Sequence, residues 1–85
     1  MDQEAIDLSE EDNVFIDMAE ELDRATMVFG PMHSSHEAYA VILEELEEFW
    51  DEVKQKPARR DKAAMRKELI QVGAMCARTI LDLEL

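Results

Sequence analysis

Apolar residues recur along this chain at steps of three and four, the spacing of a helix face that packs inward. Phe15, Met18, Leu22, Ala25 and Phe29 predict a first helix over roughly residues 10–28. Tyr39, Ile42, Leu46, Phe49 and Val53 predict a second over roughly 35–55. Met65, Leu69, Val72, Cys76, Ile80 and Leu83 predict a third over roughly 58–82. The punctuation agrees with this division. Ser9 is an N-cap candidate ahead of Glu10, Glu11 and Asp12, which complement a helix dipole. Gly30-Pro31 closes the first helix, Ser34 with Glu37 forms a capping-box pattern, and Pro57 breaks the second helix from the third. Residues 1–8 are polar, with Ile6 and Leu8 as their only anchors. Gly73 inside the third helix costs about 1 kcal/mol relative to Ala, which is tolerable where another helix packs closely.

The expected fold is therefore all-α: one domain over 1–85, made of three helices, with no strand-like alternation and no internal repeat. A chain of 85 residues buries only about 60–65% of its unfolded surface. Two copies, each giving a helical hairpin, would close a four-helix-bundle core, so a homodimer or higher homo-oligomer is expected.

Composition narrows the partners. Apolar residues make up 47% of the chain, too many for a disordered protein even with 35% charged. The formal charge of −12, from 21 acidic and 9 basic residues, opposes binding to a nucleic-acid backbone. It suits a cation, or an anionic ligand already chelated to one. The lone Cys76 has no internal disulfide partner, which fits a reducing compartment. No apolar run reaches the roughly 18–20 residues of a membrane span, and the acidic N-terminus is unlike a signal peptide. A soluble, cytoplasmic protein, with no membrane partner, is the expectation.

Candidate chemistry lies in the carboxylates. Rotating about 100° per residue from Leu46 puts Glu45 near −100° and Glu48 near −160°, at the border of the apolar stripe. Measured from Leu69, Glu68 and Gln71 fall at about the same two angles on the third helix. If the two helices pack antiparallel, three carboxylates and one amide oxygen face one another. Oxygen ligands at that density suit Mg²⁺ or Mn²⁺. Without a cation the three carboxylates repel, and one of them takes up a proton. The alternative is an ordinary wet face, since paired glutamates arise by chance in so acidic a chain.

Glu44-Glu45-Leu46-Glu47-Glu48, followed after nineteen residues by Glu68-Leu-Ile-Gln71, resembles the EExxE…ExxD signature of MazG-like all-α nucleoside triphosphate pyrophosphohydrolases. The stretch from His36 to Val53 is similar to the motif helix of small phage and bacterial members, and the likeness covers roughly residues 12–83. The resemblance implies hydrolysis of a nucleoside triphosphate, or its deoxy form, to the monophosphate and pyrophosphate, as in nucleotide-pool house-cleaning. It implies Glu45, Glu48 and Glu68 as metal ligands and Glu44 as an outer group or the base for the attacking water. Gln71 stands where the family usually has Asp and brings no charge. That departure leaves a rival open, a helical interaction or regulatory protein that keeps the fold without the catalysis. An acidic mimic of nucleic acid is a third reading, which the motif spacing does not ask for.

Other residues carry weaker signals. Lys54, Arg66 and Lys67, among the basic residues around the second turn, either balance nearby acids or reach the phosphates of a triphosphate. Trp50 is core, dimer interface or a stacking surface for a base. His33 and His36 have HxxH spacing but no Cys nearby, and read more simply as loop and helix-start residues. Cys76 reads as a small buried hydrophobe, and Met18, Met65 and Met75 as core filler.

Overall fold

The computed structural model describes residues 9–85. The proposed anchors Ile6 and Leu8 lie outside the described residues. Helix α1 spans Glu10–Phe29, α2 Ser35–Val53 and α3 Lys62–Asp82, with a 3₁₀ turn at Pro57–Arg59 between the last two. No strand occurs among the described residues.

Each helix start has a local cause. Ser9 and Asp12 form a reciprocal capping box: Asp12 N–H donates to Ser9 Oγ at 3.1 Å, and Ser9 N–H to the Asp12 carboxylate at 3.3 Å. At α2 only half of the expected box forms. Glu37 N–H donates to Ser34 Oγ at 3.0 Å, but the Glu37 carboxylate accepts from His33 N–H at 3.4 Å instead. The third helix begins at Lys62 rather than Ala58. Asp61 is its cap, accepting from Ala63 N–H at 2.9 Å and Ala64 N–H at 3.2 Å. The turn before it is held from both sides. Glu52 accepts from Asp61 N–H at 2.7 Å, and Arg60 Nε donates to the Val53 carbonyl at 2.9 Å. Gly30 ends α1 with φ of +71°, a conformation glycine adopts without cost.

Helix α3 is the centre of the packing, with α1 and α2 both lying against it. Pairing runs from Ala38 beside Ala74 and Met75 to Glu52 beside Asp61, so α2 is antiparallel to α3. Helix α1 runs in the same sense as α3, from Asp17 at Arg66 to Gly30 at Arg78. The buried core is small: Ala25, Met32, Ala38, Ile70, Ala74 and Met75, with Leu22, Val41, Ile42 and Leu83 packed around it. Gly73 leaves room for the Met18 side chain of α1. A Cβ there would meet Met18 Cε at 2.6 Å, so Met18 occupies the space a larger residue would need.

The buried face of α3 differs from the one its apolar stripe predicts. Ile70, Ala74, Met75 and Arg78 face inward, while Leu69, Cys76 and Ile80 are exposed. On α2 the inward face holds Ala38, Val41, Ile42, Glu45 and Phe49, and Tyr39, Leu46 and Trp50 face out. Phe15 and Phe29 of α1 are exposed as well. The small residues Ala74 and Gly73 admit close helix packing, and that geometry takes precedence over the larger side chains on the other side. Both α2 and α3 thus carry a second, uncovered apolar face. The molecule is flat, 53 × 41 × 21 Å, with a radius of gyration of 15.6 Å. A compact domain of this length would have one of about 12 Å. No helix is long and apolar enough to cross a membrane among the described residues.

Candidate metal centre

Glu45 stands on the inward face of α2 and Glu48 one turn further on, where α3 presents Glu68 and Gln71. One carboxylate oxygen from each of Glu45, Glu48 and Glu68 lies within 4.8 Å of the other two. Turned with its nitrogen toward the acids, the Gln71 amide donates to Glu45 Oε2 at 2.8 Å and to Glu68 Oε2 at 3.0 Å. Two carboxylates facing one amide favour that orientation, because an amide oxygen there would meet only acceptors.

The electrostatics follow from the crowding. Burial pushes the Glu45 carboxyl up to about 7, helped by the charge of Glu48, a hydrogen bond with it, and the charges of Glu68 and Glu44. Glu68 is raised too, first by burial and then by its hydrogen bond to Glu48 and that group's charge. The cluster therefore holds extra protons near neutral pH when no cation is bound. An oxygen-only set of this kind has the donor chemistry of a hard divalent ion, and a bound ion would remove the repulsion. Exposed acidic groups are also common without one, so the cluster by itself does not establish a metal.

Two grooves flank the cluster. The first, about 360 Å³, lies between α1 and α2 over the end of α3. Ala25, Phe29, Met32, Val41 and Met75 give it apolar walls, and Glu44 and Glu45 stand at its edge with Glu37, Arg24 and Arg78. The second, about 480 Å³, lies between α1 and α3, lined by Arg66, Lys67 and Gln71 opposite Asp17 and Glu20. Glu21 and Arg24 line both. Arg24 grips Glu21 with two hydrogen bonds of 3.0 and 2.6 Å, and that contact holds the Glu21 carboxyl below its usual range despite partial burial.

The other sequence candidates divide between these places. Glu44 is exposed and borders the first groove beside Glu45. Arg66 lines the second groove and pairs with Asp17 at 2.8 Å. Lys67 lines the same groove. Lys54 pairs with Asp51 at 2.9 Å, and Lys54 and Trp50 line neither groove. Trp50 is 57% exposed, on the uncovered face with Leu46. His33 contacts Glu37 through Nδ1 at 3.3 Å, and His36 is exposed. Cys76 is exposed rather than buried, because α3 turns its stripe outward.

Sequence reasoning missed Arg24 and Arg78. Arg78 is only 3% exposed. Its guanidinium donates to the Gly30 carbonyl and, at 3.8 Å, to Met75 Sδ, while its Nε lies 3.5 Å from Asp82 without a hydrogen-bond partner. Asp82 in turn accepts from Met32 N–H at 2.9 Å. A lone Arg inside Ala74-Met-Cys-Ala-Arg78-Thr-Ile, with Asp four residues on, was the available signal. No protein-family model, curated protein or solved structure matches this chain.

Proposed function

We propose that this protein is a divalent-cation-dependent nucleoside triphosphate pyrophosphohydrolase of the MazG-like kind, working in the cytoplasm as a homodimer. The observation that carries the reading is the convergence of Glu45, Glu48 and Glu68, with Gln71, from motif positions on two antiparallel helices. Glu45, Glu48 and Glu68, with the Gln71 amide turned to offer its oxygen, would hold Mg²⁺ or Mn²⁺. Such an ion, when bound, supplies polarisation of phosphoryl oxygens and a water of lowered pKa. Glu44, exposed beside Glu45, accepts the proton of the attacking water. The water oxygen bonds to the α-phosphorus, the bond to the α–β bridging oxygen breaks, and pyrophosphate leaves. Arg66 and Lys67 line the groove that reaches Gln71 and neutralise phosphate charge there. Lys54, held by Asp51, is assigned to the turn, and Trp50 to the partner face.

The dimer is supported by the uncovered apolar faces of α2 and α3 and by the flat shape of the single chain. Tyr39, Leu46, Trp50, Leu69 and Ile80 on two adjacent antiparallel helices form the hairpin surface that a second copy covers in a four-helix bundle. The test is pyrophosphate release from canonical and modified triphosphates with Mg²⁺ or Mn²⁺. No release from any of them overturns the reading.

A second reading is favoured by one observation, the Gln71 nitrogen donating to two of the acids. That arrangement quiets the cluster without an ion, as expected of a helical interaction protein that has lost catalysis. A melting midpoint unmoved by millimolar Mg²⁺ with nucleotide would favour it.

A further inference from the structure

The two grooves beside the acids differ in chemistry, and the difference gives any bound nucleotide a direction. The α1–α2 groove, about 360 Å³, falls within the range of about 300–1,000 Å³ typical of small-molecule sites. Its walls are apolar and include the sulfur-bearing Met32 and Met75, which pack well against aromatic rings. Four carboxylates and two guanidiniums line it, a balance that repels a polyanion. Its buried polar side chain is Arg78, whose Nε lacks a hydrogen-bond partner. The α1–α3 groove has three cations against three carboxylates, so its charge balances, and its apolar lining comes from Ala63 and Ile70 rather than from aromatic or sulfur-bearing side chains. Lys67 is its cation without an ion pair among the described residues, whereas Arg24 and Arg66 are held by Glu21 and Asp17. Glu45 borders the first groove and Gln71 the second, so the acid cluster lies between them.

We propose that the α1–α2 groove takes the nucleoside end of a nucleotide and the α1–α3 groove takes its departing pyrophosphate, with Arg24 on the shared ridge between them. This rests on the hydrolase reading and adds the polarity of the substrate. Phe29, Val41 and Met75 hold the base by apolar contact, while Arg78 fixes the loop that carries Met32. Lys67 meets the terminal phosphates.

The experiment uses products, so it does not depend on turnover. Methyl-labelled methionine and backbone-amide spectra are recorded with four nucleoside monophosphates plus Mg²⁺, and separately with inorganic pyrophosphate plus Mg²⁺. At least one monophosphate is expected to shift the Met32 and Met75 methyls, and pyrophosphate the amides of Arg66 and Lys67. Val41→Trp, which fills the first groove, should weaken monophosphate binding roughly tenfold and pyrophosphate binding less than twofold. Phe29→Ala, at an exposed position, should act in the same sense and covers a failure of the Val41 variant to fold. Lys67→Glu should reverse the pattern. Monophosphate signals at Lys67, equal losses for both probes, or no binding of either probe overturn the proposal. Pyrophosphate release without segregation of the probes leaves hydrolysis standing and removes the polarity. Segregated binding without release removes hydrolysis and leaves the two subsites.

Discussion

The Gln71 amide nitrogen sits 2.8 Å from Glu45 Oε2, so a side chain from the middle of α3 donates to the most perturbed acid of α2. An amide has two chemically different ends, and this one presents its donor to carboxylates. To ligate a cation it must rotate about its last torsion and present oxygen. Gln71→Asp replaces that adaptable group with a fourth charge. The variant should bind Mg²⁺ roughly tenfold more tightly by titration calorimetry, and should melt earlier than the parent when chelator is present.

The raised Glu45 carboxyl fixes the pH dependence of the ion-free protein. Its folded value, about 7, lies above the ordinary 4.5, so the folded state binds more protons between those limits. Stability should therefore fall as pH rises from about 4.5 through 7. Glu45→Gln should flatten that slope and add on the order of 1 kcal/mol at pH 8 in chelator, a modest gain because water screens the half-buried group. Denaturant melts at several pH values measure it, and a slope unchanged in the variant contradicts the assignment.

Added Mg²⁺ acts in the opposite sense. On the proposed function, a cation would bind the ionised cluster in competition with protons, so its stabilisation should be largest above pH 7 and fade below pH 6. Thermal melts with and without millimolar Mg²⁺ at pH 8 and pH 5.5 make the comparison.

Arg78 and Asp82 are the most consequential pair outside the cluster. Arg78→Met leaves Asp82 and the Gly30 carbonyl without their guanidinium, and should cost about 3 kcal/mol. Changing both members, Arg78→Met with Asp82→Leu, should cost less than the two single changes together, which a double-mutant cycle reads directly.

The outer apolar face has its own test. Leu46→Glu and Ile80→Glu place charge on exposed positions where the single chain has no packing to lose. Sedimentation should show the parent as a dimer and each variant shifted toward monomer. A parent that sediments as a monomer at high concentration overturns the dimer.

The helices and most of their ends were legible in the sequence, because caps, Gly30 and Pro57 act locally. The orientation of α3 was not. Its stripe of Leu69, Val72, Cys76 and Ile80 is a regular apolar pattern, yet the helix packs through Ala74, Gly73 and Met75 on another side. A helix with two apolar faces gives one periodicity for two partners, and pattern alone does not say which face the same chain covers. The acids were legible for a different reason. Glu45 and Glu68 border their apolar stripes on the side where α2 and α3 meet, so Glu45, Glu48 and Glu68 converge even though α3 packs through a face other than its stripe. Arg78 escaped notice because its role depends on a carbonyl forty-eight residues away.

Glu45 and Leu46 are neighbours in sequence but look in different directions, and so are Glu68 and Leu69. One pair of helices therefore serves two surfaces at once. Because each helix is a single rod, any rotation that separated the acids would also move Leu46 and Leu69 on the far side.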